Sequence, residues 1–368
     1  MFVRNMWYVV AWSHEVAAGE LFARTVLGEP ILLMRKSDGS LSALQDRCCH
    51  RLLPLSKGIR EGDAVRCGYH GLKFDCSGHC VEVPGMEKIP SYLRVRSYPV
   101  VEKNRWIFVW MGDPQRADRA MLPDNFANDD EGWCHRPGYM HYEVPCLLIC
   151  DNLLDFSHLS YVHANTLGGS PEIARARQKI ERLFVADGRQ IGVKVTRGVR
   201  GVPPSPYWKT FRDGLRDEPY ERWFDYDFVL PGTLLMDSGG RPMAAPDDES
   251  RTIRLMSCQT LTPETETSTH YFFQQSCQRR DFERAPETVD RMYATLLEAF
   301  HEDQDTITAQ YRALLATPDL KMNPVPSFDG ALGHFRALVE QWRAREAAED
   351  DGAQGPAAAT PLAAGRPA

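Results

Sequence analysis

No apolar run in this 368-residue sequence approaches the ~20 residues that cross a bilayer, and no continuous hydrophobic segment follows Arg4 and Asn5. Neither a membrane span nor a secretory leader is expected, so the chain reads as cytoplasmic. An excess of basic residues is also missing. With a net charge of −7, the surface is not built to neutralise phosphates, and nucleic acid is not an expected partner. There is no internal repeat and no glycine-rich phosphate loop, so NAD(P)H is not expected to bind here. Disulfides are not expected either: in a reducing compartment the 10 cysteines read as metal ligands plus reduced thiols. What is present is an ordinary globular composition, 43% hydrophobic and 25% charged, in a chain long enough for two cores.

Only Cys48 and Cys67 have ligand spacing. They open the stretches Cys48-Cys49-His50-Arg51 and Cys67-Gly68-Tyr69-His70, so each loop supplies one thiolate and one imidazole. This is the pattern of a Rieske [2Fe-2S] cluster, in which two Cys hold one iron and two His hold the other. Structural zinc is the competing reading. A zinc finger, however, typically keeps its Cys pair and its His pair on separate elements, whereas Cys48, His50, Cys67 and His70 are interleaved. Gly68 and Gly71 flank the second loop and let backbone N–H groups approach cluster sulfurs. Electron-transfer Rieske proteins of respiratory complexes carry an extra Cys in each loop, joined as a disulfide. Cys49 lies between two ligands instead, which places the pattern with the oxygenase and ferredoxin branch.

Residues 1–114 read as short strands, at 31–35, 41–45, 81–84 and 106–111, separated by the turns Asp38-Gly39, Glu61-Gly62-Asp63 and Ser77-Gly78. Gly112-Asp113-Pro114 closes this all-β domain. A polar linker over 115–140 leads into a second domain ending near 345. Its signals are a helix over 144–167, paired strands over 180–196 around Asp187-Gly188, strands at 223–230, 251–262 and 270–275, and a long helix over 286–315. The expected fold class is α+β with an antiparallel sheet in the second domain. Residues 346–368, rich in Ala, Gly and Pro, are expected to be a disordered tail.

A second metal site is indicated by His158 and His163, since two His and one carboxylate form the facial triad of non-haem Fe(II) oxygenases. Five residues turn an ideal helix by about 140°, so both rings reach one ion only if the helix ends or bulges between them. Two surface histidines are the alternative. For the carboxylate, the apolar stripe through Met292, Leu296, Phe300 and Ile307 includes Asp303, while Glu302 and Asp305 fall on the other side. A carboxylate facing a core needs a metal or a buried Arg, and both remain open. Asp155, three residues before His158, is placed to accept a hydrogen bond from that ring's second nitrogen, or is simply a solvated helix residue.

Together these motifs resemble the Rieske non-haem iron aromatic oxygenase α subunits, most closely the vanillate and dicamba O-demethylase group. The resemblance runs to about residue 345. It is carried by Cys48/His50, Cys67-Gly68-Tyr69-His70-Gly71, Asn152-Leu153-Leu154-Asp155 with His158 and His163, Glu302-Asp303, Asn5-Met6-Trp7-Tyr8, and Leu261 to Glu266 followed by His270-Tyr271-Phe272-Phe273. It implies a helix-grip second domain with a [2Fe-2S] cluster and a mononuclear Fe(II). It also implies a homotrimer in which Asp155 bridges His158 to His70 of the neighbouring subunit. Asn152 is expected to support the iron ligands, and His270 to line the substrate pocket. Electrons would come from a flavin and iron–sulfur reductase oxidising NAD(P)H. The implied reaction uses O2 to hydroxylate and O-demethylate a methoxylated, vanillate-like aromatic acid. The alternatives are another aromatic or N-methyl substrate, or a pure electron carrier, against which the His158, His163 and Asp303 set argues. One departure is Cys49, where the family usually has Pro.

Overall fold

The structure, a computed structural model, describes residues 2–353. Three small antiparallel sheets make the N-terminal part. Strand Trp7–Trp12 pairs with Trp106–Trp110, bringing the start of the chain against the end of this unit. Six consecutive buried residues in Trp7–Trp12 explain why a sequence reading based on alternation missed that strand: it is covered on both faces. A second sheet joins Phe22–Val26, Glu29–Arg35, Leu41–Gln45 and Ser97–Tyr98. A third joins Ile59–Glu61, Ala64–Arg66, Lys73–Asp75 and Cys80–Glu82. The expected turns lie where they should, with Gly39, Gly62 and Gly78 at φ of +83°, +61° and +85°.

The C-terminal part is built on an 8-stranded antiparallel sheet. Its strands include Gln190–Val202, Tyr220–Val229, Thr233–Pro242, Ile253–Pro263 and Thr269–Gln278. The long helix Thr288–Ala316 lies against one face, with Phe300 edge-on to Phe273 at 4.8 Å between ring centroids. Helix Cys146–Leu154 packs beside it. This α+β arrangement of a helix held by an antiparallel sheet is the helix-grip form that the resemblance implied.

Two expectations are corrected. The helix expected over 144–167 stops at Leu154, and a 3₁₀ turn, Phe156–Ser160, follows. At the other end, helix Gly330–Ala353 runs into the segment expected to be disordered. Its Glu346 carboxylate accepts the backbone N–H groups of Arg4 and Asn5, so the helix is anchored by a contact the local composition does not reveal. The rest of the expected tail, 354–368, lies outside the described residues. All 10 cysteines are free. Among the described residues no helix is long and apolar enough to cross a membrane.

Candidate active site and its two metal centres

The first centre is formed by two loops that repeat one backbone pattern. Cys48 N–H bonds the Leu53 carbonyl at 2.9 Å and Leu52 N–H bonds the Cys48 carbonyl at 3.0 Å; Cys67 with Leu72, and Gly71 with Cys67, do the same at 2.8 and 3.1 Å. The residue closing each loop is left-handed, Leu52 at φ +60° and Gly71 at φ +76°. Each loop therefore presents its Cys from the same corner. The two Cys are buried, whereas His50 and His70 are exposed at the tip with ring centroids 4.5 Å apart. Thiol sits by thiol and imidazole by imidazole, which suits two irons with different ligands rather than one tetrahedral ion. Burial and the adjacent Cys67 thiol push the Cys48 pKa up to about 11, so a buried thiolate here needs a cation. Burial and neighbouring Cys80 also raise Cys49, which is a protonated bystander.

The second centre is deep in the C-terminal part. His158, His163 and Asp303 each offer a ligand atom, all within 4.8 Å of one another. Asp303 Oδ1 lies 3.1 Å from His163 Nε2 and 3.6 Å from His158 Nε2. The helix end at Leu154 resolves the phase problem of the two histidines. His158 sits in the 3₁₀ turn and donates from Nδ1 to the Asp155 carbonyl, while His163 lies in the following loop. Glu302 accepts from His163 Nδ1 at 2.7 Å and from Thr166 Oγ1 at 2.7 Å. With both Nδ1 atoms donating, both Nε2 lone pairs are directed at one point. Asn152 Nδ2 donates to Asp303 Oδ1 at 2.9 Å.

The low pKa values of Asp303 and His158 suit ligand duty, whereas His163 must give up its proton to bind a metal. Burial disfavours charge on Asp303, but hydrogen bonding from His163 and the charges of both rings outweigh it and lower its pKa. Burial lowers that of His158, although the Asp303 charge opposes it. For His163, Asp303 and Glu302 overcome burial and raise the pKa. Two imidazoles and a carboxylate grouped on one side fit a mononuclear iron with its remaining positions open.

That opening faces a half-open pocket whose atom-free space, solvent at the mouth included, is about 700 Å³. Phe156, Leu159, Trp208, Phe224, Leu296 and Phe300 supply much of its wall, and Arg222 is among its polar groups. Most other polar side chains there are paired: Tyr207 donates to Gln275, and Gln275 to Ser257 at 2.7 Å.

Three residues stand differently from expectation. The Asp155 carboxylate caps the turn by accepting Ser157 N–H at 2.8 Å; it is the Asp155 carbonyl that meets His158. The shared helical face assumed for Asp155 and His158 is lost once the helix ends. His270 is not a wall of the cavity. On its strand, Tyr271 and Phe273 face the long helix, and period-2 alternation turns His270 and Phe272 the other way, where His270 bonds Thr25 O and Tyr139 Oη at 2.9 Å each. Glu302 is the reverse case. Its helical phase pointed it away, yet its side chain reaches back to His163; the signal was its position next to the ligand Asp303.

Cys/His loops that pair like with like, an all-β domain, and a facial triad inside a helix-grip define the class: a Rieske non-haem iron oxygenase component, with a [2Fe-2S] cluster and a mononuclear iron as cofactors. The residues match the Rieske [2Fe-2S] domain over 6–99 and the vanillate O-demethylase oxygenase C-terminal domain over 119–345, and the chain belongs to the family that combines them. A toluene-4-sulfonate monooxygenase iron-sulfur subunit of Comamonas testosteroni is 42% identical over 93% of this chain and 97% of its own. The dicamba O-demethylase oxygenase component of Stenotrophomonas maltophilia is 38% identical over 74% of this chain and 77% of its own. Dicamba monooxygenase bound to 3,6-dichlorosalicylic acid superimposes with a TM-score of 0.84 at 31% identity, covering 94% and 99% of the two chains. Such components imply a reductase partner and an aromatic substrate.

Proposed function

We propose that this chain is the terminal oxygenase of a monooxygenase system that hydroxylates a methoxy carbon on an aromatic acid. The observation that carries this reading is the triad His158, His163 and Asp303 opening into a cavity walled by aromatic and aliphatic side chains. Bound iron supplies O2 activation; the walls hold the ring and exclude water. The substrate change balances as ArOCH3 + O2 + 2 e⁻ + 2 H⁺ → ArOH + CH2O + H2O, with hydroxylation giving a hemiacetal that collapses to phenol and formaldehyde. Electrons come from a flavin and iron–sulfur reductase that oxidises NAD(P)H. A second reading, hydroxylation of a ring methyl group, is supported by the toluene-4-sulfonate relative.

The division into an electron-accepting unit, 1–114, and a catalytic unit, 115–345, belongs to the same proposal, as do a cytoplasmic location and a homotrimer. The exposure of the His50 and His70 rings supports transfer from the cluster edge into a neighbouring subunit. There the half-buried Asp155 carboxylate would receive the neighbour's His70. The test is a set of methoxylated and methylated aromatic acids incubated with the purified oxygenase, a surrogate reductase and NADH. Formaldehyde marks O-demethylation and an aryl methanol marks methyl hydroxylation. Absence of both, with cluster and iron in place, would reject the reading.

A further inference from the structure

Arg222 is a buried cation without a counter-ion. It lies on strand Tyr220–Val229, where the alternate residues Tyr220, Arg222, Phe224, Tyr226 and Phe228 are all buried, so an arginine occupies the apolar register. Of the other buried arginines, Arg212 pairs with Asp281, and Arg197, though not ion-paired among the described residues, donates to Ser157 Oγ at 3.2 Å and the Ile173 carbonyl at 3.3 Å and feels the Asp155 charge. Among the described residues Arg222 has no ion pair. One terminal nitrogen donates to the Gly168 carbonyl at 3.0 Å, while Nε, also buried, has no hydrogen-bond partner. The guanidinium stands over the rings of Trp208 at 4.8 Å and Phe224 at 5.5 Å. Gly240 preserves this stack, because a Cβ there would come within 2.3 Å of the Trp208 ring. Burial lowers the Arg222 pKa only to about 10, so the group stays charged at neutral pH.

An uncompensated buried cation is costly unless something arrives to pair with it. Arg222 lines the same cavity as His158, His163 and Asp303, and its hydrogen bond to Gly168 ties it to the His163 loop, where Gly168 N–H bonds the His163 carbonyl at 3.0 Å. We infer that Arg222 is the anion anchor of the substrate site, pairing with an oxyanion on the arene, a carboxylate or a sulfonate, while the ring rests among the aromatic walls. A guanidinium offers parallel N–H donors that match either oxyanion, and stacking on Trp208 and Phe224 fixes its plane. This rests on the aromatic-acid reading and adds the residue that selects the acid.

The test measures binding to resting holoenzyme by calorimetry, with 4-methoxybenzoate and toluene-4-sulfonate against their neutral counterparts, 4-methoxybenzamide and toluene-4-sulfonamide. The wild type should prefer the acid of at least one pair. Arg222→Gln should weaken acid binding by about 10- to 100-fold, the range expected for a hydrogen-bonded charge, and amide binding by no more than about twofold. Arg222→Lys should recover part of the acid preference, since it restores the charge without the fork. Cluster absorbance and iron content certify each variant as folded. No acid preference in the wild type, or equal loss for acids and amides in Arg222→Gln with Arg222→Lys no better, would overturn the inference. Because binding is read without turnover, acids held by Arg222 but never hydroxylated would sink only the proposed reaction. Hydroxylation with equal affinity for acids and amides would sink only the anchor.

Discussion

Asp303 and Glu302 are neighbours on one helix, yet they meet opposite sides of the same imidazole. Asp303 faces His163 Nε2 at 3.1 Å and Glu302 holds Nδ1 at 2.7 Å. One carboxylate is placed to bind the metal and the other fixes the tautomer of the ring that binds it. Their removal should therefore differ in kind. Asp303→Ala deletes a ligand and should lose mononuclear iron, taking the content from about three to about two irons per chain while the cluster absorbance persists. Glu302→Gln keeps the size but weakens the anchor, and should lower iron affinity by about 10- to 100-fold. Iron content after dialysis against a graded chelator separates the two. Equal retention by Glu302→Gln and the wild type would show that a neutral amide oxygen, steadied by Thr166, suffices to hold His163.

At the scale of elements, the decisive feature is where helix Cys146–Leu154 ends. Asp155 leaves helical backbone at φ −113° and ψ 91°, and its carboxylate caps the 3₁₀ turn that carries His158. Asparagine caps such turns about as well as aspartate, so Asp155→Asn should fold normally and keep its cluster and iron. It removes the charge, however, and with it a strong acceptor for a donor arriving from a neighbouring subunit. The expected result is turnover lowered by orders of magnitude, with fast reduction of the cluster and slow substrate-dependent reoxidation by O2 in stopped flow. Reoxidation at the wild-type rate would remove Asp155 from electron transfer and leave it as a cap.

For the whole molecule, the two parts are joined through shared hydrogen bonds and one continuous apolar core. Trp12 Nε1 donates to Gly138 O at 3.0 Å, Leu27 N–H to Pro263 O at 2.9 Å, and His270 bridges Thr25 and Tyr139. His270 thus belongs to the joint, with Arg24, Glu264 and His141 around it. Burial pulls its pKa down to about 4, partly opposed by the Thr25 carbonyl. Its folded value lies below the unfolded value of about 6.5, so acid favours the unfolded chain. The contribution is complete above that pH and fades on descent toward 4, by up to about 3 kcal/mol. His135, also pulled down to about 4 by burial and then by Arg105, acts in the same direction. Urea midpoints at pH 7 and pH 5 should fall less for His270→Gln than for the wild type. Parallel falls would place the acid sensitivity elsewhere, while wild-type turnover by the variant would confirm that the residue lies outside the cavity.

The sequence by itself determined the metal chemistry. Ligand type and short spacing are local properties, so Cys48, His50, Cys67, His70, His158 and His163 could be named as candidates from the sequence, and Asp303 from the phase of a regular helix; the structure brings them together in two groups. The strand pattern and turn glycines sufficed for an α+β class with an all-β start. Tertiary structure alone decided which groups surround those ligands. After Leu154 the chain leaves the helix, and Phe156 stacks on Tyr226 while Ser157 Oγ accepts from Arg197, both far along the chain. Glu302 bends to His163 across 139 positions, and Glu346 finds the N-terminus across 341. The face of the sheet is equally non-local: His270 reads as a pocket residue until the register shows its neighbours Tyr271 and Phe273 on the cavity-side helix. Arg222 stood one residue outside the strand expected at 223–230, and its apolar register became visible only when that strand was seen to begin at Tyr220. Spacing carries the chemistry of an atom and its near neighbours, but pairing and burial depend on chain segments that only folding brings together.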